Sequence, residues 1–291
     1  MDPFQDPPEG ADRAHWSFER NTSKAACIRG QLASYAIAHT TSCFRLHSIT
    51  LLILGAYARF IRWDRSAAIV SERFNYVEQP TILVDYLWGL SHASDEALGI
   101  VPTEVVALVE ESNLYRHHLP YSESRDGLFY KVTVPSREVP GESGDYIIQY
   151  RNCRSESLFG RGTRSTIALR LRDPAVVFLK DYWRVKAEGA LNEGEIYPRL
   201  EEAKVPHIAT FDHGNDLDGH ETIGHLYQEK SWACKIRQPM KYKQHYRMAL
   251  ATVGRDLGFF NSTREYTQTI ADAMEGVEFC SLEVDWILTF V

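Results

Sequence analysis

Apolar and polar positions change period several times along the chain. Between Thr22 and His39, Ala25, Ile28, Leu32, Tyr35 and Ala36 recur at helical spacing behind a Thr/Ser start, which predicts an amphipathic helix. Ile49 to Phe60 and Ala67 to Tyr76 are rich in β-branched and aromatic residues, and predict two strands around the polar turn Trp63-Asp64-Arg65-Ser66. Arg62, Asp64 and Arg65 read as a solvated, charged hairpin turn in preference to a recognition patch. Pro80-Thr81 and Pro102-Thr103 carry the punctuation of helix starts, so a short helix is expected after each. Leu128 to Val134 and Asp145 to Tyr150 read as a strand pair across the Pro/Gly/Ser-containing loop 135–144.

The second half opens with Leu158-Phe-Gly-Arg-Gly-Thr-Arg-Ser-Thr-Ile-Ala-Leu169, which predicts a strand, a glycine-containing turn and a second strand. Ala175 to Arg184 follows as a third strand, with one lysine, Lys180, inside an apolar run. Asn192 then reads as an N-cap with Glu195 as its capping-box partner. Glu193, Ile196, Tyr197 and Leu200 form the inward stripe of that helix, whereas Glu195 lies on another face within reach of Arg199. Pro198 should kink the helix.

Val205 to Phe211 and Tyr242 to Ala251 read as fourth and fifth strands, with Asp212 to Glu221 a solvated acidic loop between them. Asp216-x-Asp218-Gly219 fits only part of a calcium loop, because Gly214 and His225 hold the end ligand positions. His213, His220 and His225 lack a Cys or helical His partner, so no metal site is expected. Ser262 and Glu265 form a second capping box, ahead of a helix with the stripe Tyr266, Ile270, Ala273 and Met274.

Charge and cysteine usage narrow the class. A net charge of −7 and a pI near 5.9 argue against a general nucleic-acid binder, which shows a basic face. The five cysteines (27, 43, 153, 234 and 280) are scattered and form no Cys-x-x-Cys pair. They read as reduced thiols of a cytoplasmic or nuclear protein. The start of the chain has no basic and apolar signal pattern. The longest apolar run, Ile49 to Ile61, is short and broken by Arg59, so no membrane partner is expected. Residues 1–20, rich in Pro and Asp, predict a disordered tail.

Gly160 and Gly162 would let the backbone approach a ligand closely, and Lys180 offers a positive charge from the next strand. Around them stand Phe178-Leu-Lys-Asp-Tyr-Trp-Arg184, Glu193-Gly-Glu195, Arg59-Phe-Ile-Arg-Trp-Asp-Arg-Ser66, Ile69-Val-Ser-Glu-Arg-Phe-Asn-Tyr76 and His245 to Leu257. In that order and spacing, over residues 25–275, the chain resembles the fungal-type protein kinase family. The resemblance implies ATP with Mg²⁺ as cofactor and protein Ser/Thr phosphorylation as activity. It places Gly160, Arg161 and Gly162 over the phosphates, Ile167 against the adenine, and Lys180 in a pair with Glu193. The hinge bonds would come from the Ala251 carbonyl and the Val253 amide, with Leu250 guarding the rear of the pocket. Phe178 stands where most kinases keep a small alanine.

The implied fold is α+β: an N-terminal helix/hairpin unit, then a kinase-like N-lobe of antiparallel sheet plus one helix, with the C-lobe largely missing. The expected divisions are a tail at 1–20, a family-specific region at 21–135, a connecting strand at 136–157, the N-lobe, hinge and first C-lobe helix at 158–275, and an aberrant tail at 276–291. No His-Arg-Asp or Asp-Phe-Gly segment follows Met274. The expectation is therefore a kinase truncated before its catalytic loop, inactive in the manner of a pseudokinase, with no catalytic residues and with metal ligands absent. The alternative is a non-catalytic interaction module. Substrate and protein partner are not legible.

Overall fold

The computed structural model describes residues 1–11, 16–42, 45–101, 103–119, 127–137, 139, 141–149, 157–234 and 239–283. Helix α1 (Ser23–Ser42) is capped by Thr22, whose Oγ1 accepts from the Ala25 amide at 3.2 Å. Its buried residues Leu32 and Ala36 pack on Ile61 and Trp63 of a small antiparallel sheet. That sheet contains β1 (His47–Leu54), β2 (Tyr57–Asp64), β3 (Ala68–Val70) and β4 (Phe74–Asn75), with β3 and β4 both paired to β2. The strand expected over Ile49 to Phe60 is thus broken in two. Gly55 adopts φ +68° and makes the β1–β2 turn, so a second turn is left at Asp64 to Ala67.

Residues 2–6 lie against this unit despite their polar composition. Asp2 and Asp6 both bind Arg59, which is only 1% exposed, and Phe4 pairs with Glu19. Pro80 is the first residue of α2 (Pro80–His92), as N-terminal proline chemistry predicts. After Pro102 the chain forms β5 (Glu104–Val106) instead of a helix, with α3 (Val109–His118) following. The Glu104 carboxylate is drawn inside by Arg247, and this tertiary contact overrides the local start signal.

The larger sheet adds β6 (Phe129–Pro135), β7 (Ser143–Gln149), β8 (Arg164–Arg170), β9 (Ala175–Val185), β10 (Phe211–Glu221) and β11 (Lys243–Leu250). Its seven strands run in the order β10-β11-β9-β8-β7-β6-β5, all antiparallel. The sheet curls until β6 meets β10 and β11, around a core of Val132, Val134, Tyr146, Ile148, Ala168, Val177, Leu179 and Ala249. Helix α4 (Glu193–Glu202) covers the other face through Tyr197, beside Tyr182, Tyr246, Met248 and Leu250.

Three local expectations are corrected. The strand leading into the glycine turn is β7, and residues 157–163 are a loop. The fourth strand is Phe211–Glu221 rather than Val205 to Phe211, so the supposed acidic loop is a strand. Two of its acids are paired, Asp212 with Arg170 and Asp216 with Arg184, and Leu217, next to Asp216, is buried. The last helix, α5 (Thr263–Glu283), passes Met274 and Glu275 without interruption. Gly276 lets it approach the chain closely, since a Cβ there would lie 3.1 Å from the Pro206 carbonyl. Helices and strands therefore occur along the whole described length, and the rest of the expected tail, 284–291, lies outside the described residues.

Candidate nucleotide-binding site

Lys180 lies in the middle of β9, opposite Ser165 of β8 and Met248 of β11. Its Nζ donates to both carboxylate oxygens of Glu193, at 2.7 and 2.9 Å. The helix start explains why Glu193, not Glu195, makes the pair. Glu195 accepts from the Asn192 amide at 2.8 Å and its own amide donates to Asn192 Oδ1 at 3.0 Å, so that carboxylate closes the cap. Pro198 does not end the helix. It removes the N–H that would meet the Gly194 carbonyl, and Arg137 Nη1 donates to that oxygen instead, at 2.7 Å. The Gly194 amide donates to the Tyr246 hydroxyl at 2.8 Å, which fixes the first turn of α4 to β11.

The glycine loop folds down over β9. Gly160 and Gly162 take φ +95° and +53°, values open to glycine and costly for other residues. Between them, the Arg161 carbonyl accepts from the Trp183 amide at 2.7 Å. The Arg161 guanidinium lies 4.6 Å from the Tyr182 ring centre and 3.2 Å from Glu193 Oε1. Tyr182 sits under both cations, with Lys180 Nζ 4.9 Å from its ring. Burial raises the Tyr182 phenol well above its ordinary pKa, and the Glu193 charge, to which it donates, adds to this. Two cations thus face one carboxylate, and the surplus positive charge suits a phosphate.

The opposite face of β9 is anchored by ion pairs. Asp181 accepts from His245 Nε2 and Arg247 Nε, both at 2.8 Å, and Arg247 also bonds Glu104. Burial disfavours the Asp181 charge, but His245 and Arg247 outweigh it and hold the carboxyl far below its ordinary pKa. Burial lowers the His245 pKa while the Asp181 charge pulls it back up, and its Nδ1 lies 3.2 Å from His220 Nδ1.

The structure brings Arg161, Lys180 and Glu193 into direct contact, with Gly160 and Gly162 on the same loop. Ile167 is one step along the same face, paired with Phe178, and Phe178 is paired in turn with Leu250. Ala251 and Val253 follow the end of β11. The Ala251 amide is taken by the Thr210 carbonyl, and no hydrogen bond among the described residues ties either of them to the Lys180–Glu193 pair. Tyr182, Tyr246, Arg137 and Arg65 were not legible as site residues. The tyrosines look like core, Arg137 sits in a loop, and Arg65 reads as a solvated turn although it is 3% exposed.

The absence of metal ligands is also corrected. His207, Asp272 and Glu275 place three potential ligand atoms within 4.8 Å of one another. They lie on the α4–β10 connection and one face of α5, where folding, not sequence proximity, unites them. The sequence trio His213, His220 and His225 does not assemble: His220 turns to His245, and His225 packs on Tyr242.

Among protein families, the model described as fungal protein kinase matches residues 15–283. No curated protein and no solved structure matches. The match takes in the N-terminal helix and hairpin together with the larger sheet, and carries on through α5. It overturns the division into an N-terminal unit and an N-lobe with its C-lobe largely missing. It equally overturns the reading of the chain as a truncated, incomplete fragment or pseudokinase whose resemblance stops at Met274.

Proposed function

The chain belongs to the fungal protein kinase family, and we propose that it binds ATP between its glycine loop and the β8–β9–β11 face, for phosphotransfer to protein hydroxyl groups. The observation that supports this most is the convergence of Lys180 and Arg161 on Glu193. In this reading Glu193 aims Lys180, and Lys180 and Arg161 hold the phosphates. Gly160 and Gly162 keep the loop free of side chains; a Cβ on Gly160 would meet nothing within 4 Å, so space is open above it. Ile167 faces the base, and Ala251 and Val253 offer it backbone bonds. Mg²⁺ bound with the nucleotide supplies charge neutralisation during transfer.

We place the protein in the cytoplasm or nucleus. Cys27, Cys234 and Cys280 are free thiols, and no helix among the described residues is long and apolar enough to cross a membrane.

Thermal unfolding with Mg²⁺-ATP tests the reading. A ligand at one hundred times its Kd stabilises the native state by about 2.7 kcal/mol. The wild-type Tm should rise with ATP concentration, and the rise should be much smaller at each ATP concentration in Lys180→Ala. A folded wild-type sample that shows no shift at millimolar ATP overturns the proposal.

A further inference from the structure

We propose that Arg65, in the β2–β3 turn, is the positioning residue of the glycine loop, so that ATP affinity is set from outside the nucleotide site. The affinity arm rests on the ATP reading above; the loop arm does not.

Arg65 holds the loop at four successive points. Its Nη1 donates to the Ser157 carbonyl at 2.6 Å and approaches the Leu158 carbonyl at 3.4 Å. Its own carbonyl accepts from the Gly160 amide at 3.2 Å. Its guanidinium fills the space beside Gly162, where a Cβ would lie 2.6 Å from Cζ and 2.7 Å from Nη1. Gly162 is therefore needed for this contact as well as for its backbone angle. Burial, with the nearby charge of Arg164, lowers the Arg65 pKa to about 10. The hydrogen-bond acceptors of the Arg65 guanidinium among the described residues are the loop carbonyls of Ser157 and Leu158. A buried charge is costly unless polar groups converge on it, so the loop is drawn into one shape around it.

The turn that carries Arg65 is itself fixed. Asp64 Oδ1 accepts from the Ser66 and Ala67 amides, and Oδ2 accepts from the Ile223 and Gly224 amides. Lys243, at the start of β11, donates to the Arg65 carbonyl at 2.8 Å. Arg161 is the residue between the two glycines that Arg65 contacts, and its reach to Trp183 and Glu193 depends on where they are held. An ordered loop binds without losing the freedom that a disordered one must give up. The N-terminal hairpin thereby becomes part of the nucleotide machinery, and a partner or modification acting on that hairpin would change ATP affinity at a distance.

The test compares wild type, Arg65→Ala and Arg65→Lys by amide hydrogen exchange over residues 157–163, by ATP titration and by Tm. In Arg65→Ala the Gly160 amide should exchange at least about tenfold faster and the Kd for ATP should rise about tenfold. Arg65→Lys, which still donates to the Ser157 carbonyl, should recover part of both. Unchanged loop exchange in a folded Arg65→Ala protein overturns the proposal, as does faster exchange with unchanged affinity. If wild type does not bind ATP, the ATP reading fails by itself, and loop exchange alone decides whether Arg65 is the clamp. Should Arg65→Ala not fold, Lys243→Met removes the donor to the Arg65 carbonyl and is read in the same way.

Discussion

Arg161, from the glycine loop, and Lys180, from β9, bind the same oxygen, Oε1 of Glu193, at 3.2 and 2.7 Å. Neither cation is neutralised by a carboxylate of its own among the described residues, so each has capacity to bind an anion. Lys180 is 26% exposed and Arg161 56%, so solvent screens Arg161 more. Lys180→Ala should weaken ATP binding by about 1.5–3 kcal/mol, the range for a hydrogen bond to a charged group. Arg161→Ala should cost less, about 1 kcal/mol, and that loss should shrink at high salt. Because the two share Glu193, the double variant should deviate from additivity by at least about 0.5 kcal/mol. Isothermal titration at two salt concentrations checks all three; a larger effect from Arg161 than from Lys180 would contradict the assignment of Lys180 as the main phosphate ligand.

Glu104 predicts a pH dependence. Burial drives its pKa up to about 8; Arg247 opposes this and Asp181 assists it. Its Oε2 has no hydrogen-bond partner among the described residues, so no hydrogen bond offsets the burial of charge on that oxygen. The folded carboxyl therefore holds a proton that the unfolded chain releases above about pH 4.5. Stability contributed by that proton falls as pH rises from the unfolded value towards 8. His220, whose pKa is lowered to about 4 by burial, acts in the opposite sense, but only below about pH 6.5. Glu104→Gln should flatten the stability curve between about pH 6.5 and 8 and gain on the order of 1 kcal/mol at pH 8. Urea unfolding at four pH values measures it, and an unchanged slope would show that Glu104 is ionised in the folded state.

Arg59 makes the first six residues structural. Its guanidinium is 1% exposed and receives Asp2 at 2.9 Å and Asp6 at 2.7 Å. Deleting residues 1–6 strips a buried charge of both partners, a loss worth about 3–5 kcal/mol. An N-terminal truncation should unfold at markedly lower urea concentration, and Arg59→Met in that background should restore part of the loss. Equal midpoints for the truncated and full chains would mean that the segment contributes nothing.

Signals confined to neighbouring residues were legible, and those that depend on distant partners were not. The capping box at Asn192 and Glu195 and the inward stripe beginning at Glu193 are local, and they single out Glu193 over Glu195 on that helix. Pro198 looked like an obstacle because its remedy, Arg137 on the Gly194 carbonyl, comes from sixty-odd residues upstream. Asp212 to Glu221 looked like a loop because its acids need Arg170 and Arg184 to become a strand. Arg65 had a signal in the family-like run from Arg59 to Ser66, but a charged turn between strands is usually solvated, and that default hid it. The continuation past Met274 was obscured by Glu275-Gly-Val277, where glycine serves close packing against Pro206 and does not end the helix.

Gly194 offers a prediction whose sign separates local propensity from tertiary fit. Gly194→Ala in an exposed helix would stabilise by up to about 1 kcal/mol. Here a Cβ would lie 2.7 Å from the Tyr246 hydroxyl, 3.0 Å from the Gly214 carbonyl and 3.2 Å from Phe211 Cζ. The backbone oxygen cannot move without disturbing the β10–β11 pairing, so the helix start must shift outward. That shift breaks the Gly194–Tyr246 bond and carries Glu193 away from Lys180, since the two residues are adjacent. Overpacking should cost about 1–3 kcal/mol in stability, outweighing the propensity gain. ATP affinity should fall by at least about tenfold even at temperatures where the variant is fully folded, because Lys180 is no longer aimed. Tyr246→Phe is the control: it removes the acceptor for the Gly194 amide but adds no bulk, so it should lower stability by about 1 kcal/mol and affinity much less than Gly194→Ala. A more stable Gly194→Ala protein with wild-type ATP affinity would mean that α4 can move away from the sheet without consequence, and the role given to Glu193 would be lost with it.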